Sequence, residues 1–310
     1  MPKISVVIPA YNAEKTIAKT IQSVLDQTFK DFEIIVINDG SSDRTLEIVE
    51  SFVDSRIQIY SYPNTGAAIS RNRGISLASG EFLALLDADD LWTADKLTAQ
   101  FQALQDYSEA GVAYSWTDYI DESDRFVRSG LHLSANGNVL PELLVHNFLE
   151  NGSNPLIRSP IIQEVGQFDP HLLASMDWDF YLRLANFCHF IVVPRPQVLY
   201  RISTTSITTD VRRQEKESLK VIEKAFQQVP DSLRLLKQKS LANLYKYLAC
   251  KSLENPSRKN GISTLLFLFN YAKYESLQQN TLKLIFILAI KGIFFLIFGS
   301  QKRNNLNISS

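Results

Sequence analysis

Asp87-Ala88-Asp89, followed directly by Asp90, is the densest concentration of potential chemistry in the chain. Two carboxylates two residues apart, just past a strand end, can converge on one divalent cation, directly or through ribose and phosphate oxygens. Mg2+ and Mn2+ take oxygen ligands and are commonly held by one or two carboxylates plus the phosphates of a substrate. The competing use of such a triplet is turn and cap chemistry ahead of the helix that begins near Thr93. Asp39 stands in Asn38-Asp39-Gly40-Ser41, where Asx-turn and N-cap hydrogen bonds are the alternative. Pro9, Tyr11 and Asn12 offer a flat aromatic face with hydrogen-bonding neighbours, suited to a nucleobase. Ser70-Arg71-Asn72-Arg73-Gly74 supplies two guanidinium groups, whose planar fork donates paired hydrogen bonds to a pyrophosphate. On one helix Arg71 and Arg73 project about 200° apart, so at most one faces a shared site. Context favours Arg71 and leaves Arg73 as a solvated surface charge.

The elements that must position these groups can be read from periodicity. Ile4 to Ile8, Phe32 to Ile37, Ile57 to Tyr62 and Glu81 to Leu86 are short runs that predict four strands, the first of them buried. Between them, Ala13, Ile17, Ile21, Val24 and Leu25, then Leu46 to Phe52, then Gly66 to Ala78 predict helices. The order βαβαβαβ without hairpin turns implies a mostly parallel sheet with helices on both faces, a Rossmann-like α/β fold. Ligands of such sheets bind beyond the carboxyl ends of the strands, where Pro9-Ala-Tyr-Asn, Asn38-Asp-Gly-Ser and Asp87-Ala-Asp-Asp all lie. A helix from about Thr93 to Tyr107, mixed strands and loops through Asn138, and helices over Ile161 to Val165 and Trp178 to Asn186 follow. Leu219 to Leu253 predicts lysine-rich helix, so a boundary is expected near residue 210.

The overall charge hides a division. The chain has 310 residues with 33 acidic and 32 basic side chains, but residues 1–210 carry 27 acidic against 15 basic and residues 211–310 carry 6 against 17. An acidic half suits cations, and a basic half suits an anionic partner. Cys188 and Cys250, far apart, support neither a disulfide framework nor a cysteine metal site and point to a reducing compartment. The start MPKISVVIPAYN lacks the features of a secretory signal, and its apolar run is a strand. No G-x-G-x-x-G follows the first strand and no G-x-x-x-x-G-K-[ST] is present, which removes the main support for dinucleotide and P-loop readings. His132, His146, His171 and His189 are isolated and read as structural or surface residues.

Taken together, SVVIPAYN, EIIVINDGSSD, SRNRG, LLDADD and FDPHLLASMDWDFYLRL resemble, in order and spacing, the family 2 glycosyltransferases, inverting nucleotide-sugar enzymes of GT-A fold. The likeness covers about residues 3–210, with a nucleotide-binding part to about 115 and an acceptor part over about 116–210. It implies that Pro9, Tyr11 and Asp39 contact the nucleobase with help from Arg71, that Asp87 contacts the ribose, and that Asp89 holds the Mn2+ or Mg2+ bound to the diphosphate. Asp177, in Met176-Asp177-Trp178-Asp179, matches the Asp of the family's usual Glu-Asp pair, the general base; Met176 replaces the Glu, and Asp179 is the rival. Both acids could instead N-cap the Trp178 helix. Leu199-Tyr200-Arg201 with Ser206 resembles the family's later Tyr-Arg element, which places Arg201 near the diphosphate and makes residues 203–209 a candidate flap or an ordinary surface loop. The implied activity is transfer from a nucleotide-sugar donor, a UDP-sugar, to a hydroxyl of a glycan or lipid-linked saccharide. The alternatives are a nucleotidyltransferase, which would usually show a glycine-rich phosphate loop near its start, and a catalytically silent nucleotide-sugar-binding protein.

Leu282 to Phe298 is apolar all round, interrupted by Lys291 and Gly292 and flanked by Lys283, Lys302 and Arg303. About 17 residues is the lower limit for a spanning helix, and Lys291 near its centre would cost about 2.5–3.5 kcal/mol. The expected arrangement is therefore peripheral contact of 282–298 with the cytoplasmic face of the plasma membrane, with a core helix of a soluble bundle as the alternative. The basic balance of the last hundred residues suits anionic lipid. Its cations are scattered along helices without a nucleic-acid motif, so no nucleic acid is expected.

Overall fold

The strand β1 (Ile4–Ala10) is buried on both faces and pairs in parallel with β2 (Phe32–Asn38) and β4 (Phe82–Leu85), while β3 (Ile57–Ser61) extends the sheet beyond β2. This computed structural model describes residues 1–202, 210–276 and 278–299, so the candidate flap at 203–209 and the flanking Lys302 and Arg303 lie outside the described residues. The helices α1 (Ile17–Leu25), α2 (Thr45–Glu50) and α3 (Ala67–Leu77) connect these strands, giving the expected alternation. Isoleucine and valine at successive β1 and β2 positions serve both faces, as a parallel sheet covered on each side requires. Gly74 sets the approach of α3 to the sheet, because a Cβ there would stand 2.2 Å from Val7 Cγ1.

After β4 come β5 (Leu91–Trp92), α4 (Lys96–Asp106), β6 (Ala110–Ile120), β7 (Phe126–Ser129), α5 (Leu140–Val145), β8 (Leu156–Arg158), α6 (Ser159–Val165), α7 (Met176–Phe187) and β9 (His189–Arg201). The sheet order is β3-β2-β1-β4-β8-β6-β9-β5, with β7 paired to β6. The first four strands are parallel; β8 enters antiparallel to β4 and β6, and the acceptor half is mixed. The architecture is a mostly parallel α/β sheet flanked by helices. The strand β9 runs parallel to β6 with a break where Ser115 faces Val193 and Trp116 faces Pro196, so Pro194 and Arg195 bulge out of register. A proline cannot donate to the ladder, and bulges are where strands tolerate it.

Two compact units can be distinguished, Met1–Leu143 with Asn147–Thr204, and Leu144–His146 with Thr205–Ser310. In the second, α8 (Val211–Gln228), α9 (Asp231–Arg234), α10 (Leu236–Ser252), α11 (Arg258–Tyr274) and α12 (Gln279–Phe298) follow one another. The stretch predicted as continuous helix over Leu219 to Leu253 is broken at Pro230, which cannot continue α8. Asp210 caps α8 by accepting from the backbone N–H of Arg212 and Arg213, both at 3.2 Å. Val221, Ile222, Phe226, Leu244, Leu248, Phe267 and Leu268 form the buried apolar face of these helices. The last helix, α12, has 20 residues and a mean hydropathy of 2.3, long and apolar enough to cross a membrane by length and composition. Only Leu288 and Gly292 of it are buried, so it is not the core helix of the bundle.

Candidate active site

The nucleobase candidates sit where β1 and β2 end side by side. Pro9 pairs with Ile37 at the close of the ladder and Tyr11 projects with 55% exposure. Asn12 adopts the left-handed conformation (φ 48°) and ties the two loops together: its Oδ1 accepts from Ser42 N at 2.8 Å and its N–H donates to Ser41 Oγ at 3.1 Å. The Asp39 carboxylate is buried and accepts from Thr65 N–H, Thr65 Oγ1 and Gly66 N–H at 2.8–3.2 Å. It therefore anchors the start of α3. Arg73 is not the solvated surface charge expected from the sequence; its Nη1 reaches Asp39 at 3.4 Å and its guanidinium lies 4.3 Å over the Tyr62 ring.

Arg71, on the opposite side of α3, is the buried member of the pair, as expected. It forms an ion pair with Asp87, donates from Nη1 to Met176 Sδ at 3.0 Å, and lies 5.5 Å from the Phe168 ring. Gly152 permits this pair to stand where it does, since a Cβ there would come within 3.1 Å of Arg71 Nη2 and 3.4 Å of Asp87 Oδ2. The next loop residue, Ser153, accepts from Asp87 N–H at 3.0 Å and donates to Asp90 at 2.5 Å, while its carbonyl accepts from Trp92 Nε1 at 2.8 Å. Asp90 is thus a fully buried strut, with Arg201 N–H as its second partner at 3.0 Å. Burial, with Asp89 and Asp87 alongside, holds its pKa well above the ordinary value. Asp89 is half-buried, and burial plus the neighbouring Asp87 push its carboxyl up to about 6.

Asp177 occupies the first turn of α7, whose N-cap is Ser175 in the left-handed region (φ 55°) without a side-chain cap bond. The Asp177 carboxylate accepts from the Trp178 N–H in that first turn, part of the capping use the sequence allows. Asp179 is buried and accepts from Arg183 Nε at 2.9 Å; Arg183 in turn binds the carbonyls of Val165, Gly166 and Gln167, so this acid braces α7 against the loop before it. Asp177 accepts from Asn147 Nδ2 at 3.2 Å. Desolvation raises its pKa, Arg71 and the Trp178 N–H oppose that rise, and Asp87 adds to it. Arg71 is therefore the common neighbour of Asp87, just beyond β4, and of Asp177 on α7. Met176 receives an Arg71 N–H where the family pattern carries glutamate.

Arg201 lies behind the acidic loop. Its Nε donates to the Asp89 carbonyl at 2.8 Å and its Nη1 to the Asp121 carbonyl at 2.9 Å, and it pairs with Asp124 at 2.5 Å. Most of the guanidinium is thereby committed to holding Asp89 and the β6–β7 turn. The structure also brings in residues that sequence reasoning passed over: Asn147, Gly152 and Ser153, from a polar stretch with no periodic signal.

The match to the family described as "Glycosyltransferase like family 2" runs from residue 5 to residue 252. The chain belongs to that family. Among its relatives, the Escherichia coli UDP-Glc:alpha-D-GlcNAc-diphosphoundecaprenol beta-1,3-glucosyltransferase WfgD is 45% identical over 102 residues, 33% of this chain and 40% of that protein. The chain spans less than half the length of several curated relatives that it matches. In fold it is similar to Staphylococcus aureus TarS 1-349 in complex with UDP-GlcNAc, with a TM-score of 0.62 and 16% identity over 95% of this chain and 89% of that one. A Pyrobaculum calidifontis mannosyltransferase in complex with GDP-Man and Mn2+ gives 0.59 and 17% over 97% and 88%. The fold is that of the GT-A glycosyltransferases.

Among the described residues no group of three or more His, Cys, Asp or Glu side chains could hold a metal ion by itself. The donor set nevertheless fits a hard cation of the kind that completes its shell from phosphate oxygens. Asp89 carries a half-buried carboxylate whose pKa is raised by burial and by Asp87, and a divalent ion would offset both.

Proposed function

We propose that the chain transfers a sugar with inversion from a nucleoside-diphosphate sugar, a UDP-sugar, to a hydroxyl of a glycan or lipid-linked saccharide. The observation that carries this is the buried Arg71, bound to Asp87 and acting electrostatically on Asp177. A donor-side acid beyond a parallel strand and an acceptor-side acid on a separate helix thereby share one cation, the layout that displacement at an anomeric carbon needs.

In this reading Pro9, Tyr11 and Asp39 flank the nucleobase, Asp87 takes the ribose, and Asp89, braced from behind by Arg201, would hold Mn2+ or Mg2+. The cation, when bound, neutralises charge on the leaving group. Asp177 accepts the proton of the acceptor hydroxyl while that oxygen forms its bond to the anomeric carbon. The bond from that carbon to the diphosphate oxygen breaks on the opposite face, and the diphosphate departs with the electron pair. Burial makes Asp177 a stronger base than a solvated aspartate, and Arg71 opposes that rise. Asn147 fixes one carboxylate oxygen. We further propose that α12 attaches the protein peripherally to the cytoplasmic face of a membrane, where a lipid-linked acceptor would be met.

The test is a panel of nucleotide sugars with Mn2+ or chelator, followed by nucleoside diphosphate release. Asp177→Asn is expected to bind donor normally and lose about 10²–10⁴ in kcat. Undiminished turnover in that variant overturns the base assignment, and release from no donor overturns the transferase reading.

A further inference from the structure

We infer that α11 and α12 together form a two-helix membrane-docking hairpin that lies in the plane of an anionic lipid surface, with α11 contributing part of the inserted face. This deepens the proposed peripheral attachment and rests on it. The two helices pack antiparallel along their length. Tyr271 on α11 hydrogen-bonds Thr281 near the start of α12. At the crossing a Cβ on Gly261 would lie 2.7 Å from the Gly292 carbonyl and 2.8 Å from Leu296 N, a separation of backbones that only small residues allow. Near the far end, Gly299 approaches the Arg258 side chain.

The inner face of α11 is committed elsewhere. Thr264 and Ser252 share a hydroxyl hydrogen bond at 2.6 Å, and Tyr274 stacks on Tyr245 of α10 at 5.9 Å. A spanning α12 would have to leave α11 or drag it and the lysine-bearing α10 into hydrocarbon. The outer faces tell the same story. Ile262, Leu266 and Phe269, at spacings of four and three, leave an apolar stripe on α11 in which Phe269 is 74% exposed. Leu282, Phe286, Ile290, Ile293 and Ile297 form the corresponding stripe on α12. Lys291 falls off it, near enough to Cys250 of α10 to act on its thiol. Arg258, Lys259, Lys273, Lys283 and Lys291 are all exposed around these stripes, against the single acid Glu275 over residues 255–299. Apolar area rimmed by cations is the signature of a helix pair resting among anionic headgroups.

The full chain is floated with vesicles of phosphatidylcholine alone and of phosphatidylcholine with an equal share of phosphatidylglycerol. The wild type is expected to float with the anionic vesicles. Ile262→Ser with Leu266→Ser and Phe269→Ser, with circular dichroism and nucleotide binding unchanged, is expected to float about tenfold less. On vesicles, Lys291→Cys should react with an impermeant maleimide as fast as Asn280→Cys, both measured above the parent's own thiols. A wild type that floats while the α11 variant floats equally, or a Lys291→Cys shielded from the reagent, overturns the hairpin and leaves α12 acting alone. Absence of wild-type flotation, including a concentration-dependent dimer in its place, overturns membrane attachment altogether.

Discussion

Replacing Arg71 by Met removes the one cation shared by the two halves of the site while keeping most of the side-chain volume. The structure separates the consequences into two readouts. Asp87, about a quarter exposed, loses its ion pair, and Arg71 itself was 8% exposed, so the pair is largely buried. Breaking a buried pair costs about 3–5 kcal/mol because the remaining charge is left uncompensated. The residual exposure of Asp87 places this case near the lower end, about 3 kcal/mol. For a unit of roughly 200 residues that corresponds to a fall of about 6–12 °C in Tm. The second readout concerns Asp177. Burial raises its pKa and Arg71 opposes the rise, so deleting Arg71 raises it further. Only the ionised carboxylate can accept a proton, so the acid limb of the kcat profile must move to higher pH. Scanning calorimetry and a pH–rate profile with the best donor measure the two effects separately. An unchanged acid limb would show that Asp177 does not sense Arg71 and would sink the claim that one arginine serves both acids, whatever the Tm does.

Asp179→Asn is expected to lose about 1–3 kcal/mol of stability, because Arg183 keeps its three carbonyl partners but loses its charge partner, with kcat within about threefold of wild type; a collapse of kcat in the folded variant would transfer the base role from Asp177. Gly74→Ala should cost about 1–3 kcal/mol in urea unfolding through the Val7 clash, and equal stability would mean that α3 can shift away from the sheet. For Asp89, at about 6 in the metal-free protein, the sign runs two ways. Its raised folded pKa means that stability in chelator improves as pH falls through about 6, whereas Mn2+-dependent nucleotide binding weakens over the same interval. Calorimetric titration at pH 7 and pH 5 should show the loss, and equal affinity at both would remove Asp89 from the metal.

The nucleotide-binding half was legible because parallel strands buried on both faces read as unbroken apolar runs, and their polar ends stand out by contrast. The acceptor half was not. β9 spans 13 residues, yet Pro194 and Pro196 argue against a strand, and only a bulge opposite Ser115 and Trp116 reconciles them. The residues that brace the acids escaped for a related reason. Ser153 and Asn147 work through tertiary hydrogen bonds made by irregular backbone, which leaves no period in the sequence. Arg73 was misplaced because helical projection says which way a side chain leaves α3, whereas the Tyr62 ring and Asp39 that receive it come from other loops. Asp90 is in sequence only a third acid of the loop, and nothing in its spacing signals its burial between Ser153 and Arg201.

These placements give the acidic half of the charge division a physical meaning. Three consecutive-loop acids, Asp87, Asp89 and Asp90, stand within electrostatic reach of one another, and the chain compensates them unequally. Asp87 has Arg71, and Asp90 has two hydrogen-bond donors. Asp89 receives help from Arg201 only through its carbonyl and at a distance. Asp89, the one acid of the three proposed to meet the cation, thus has neither the ion pair of Asp87 nor the two hydrogen-bond donors of Asp90. A fully paired Asp89 would have to break a bond before binding, and an unbraced one would swing away from Asp87. Holding its backbone with Arg201 while leaving its carboxylate crowded makes the free site the less comfortable state. Ligand binding then relieves an existing repulsion instead of competing with an existing pair.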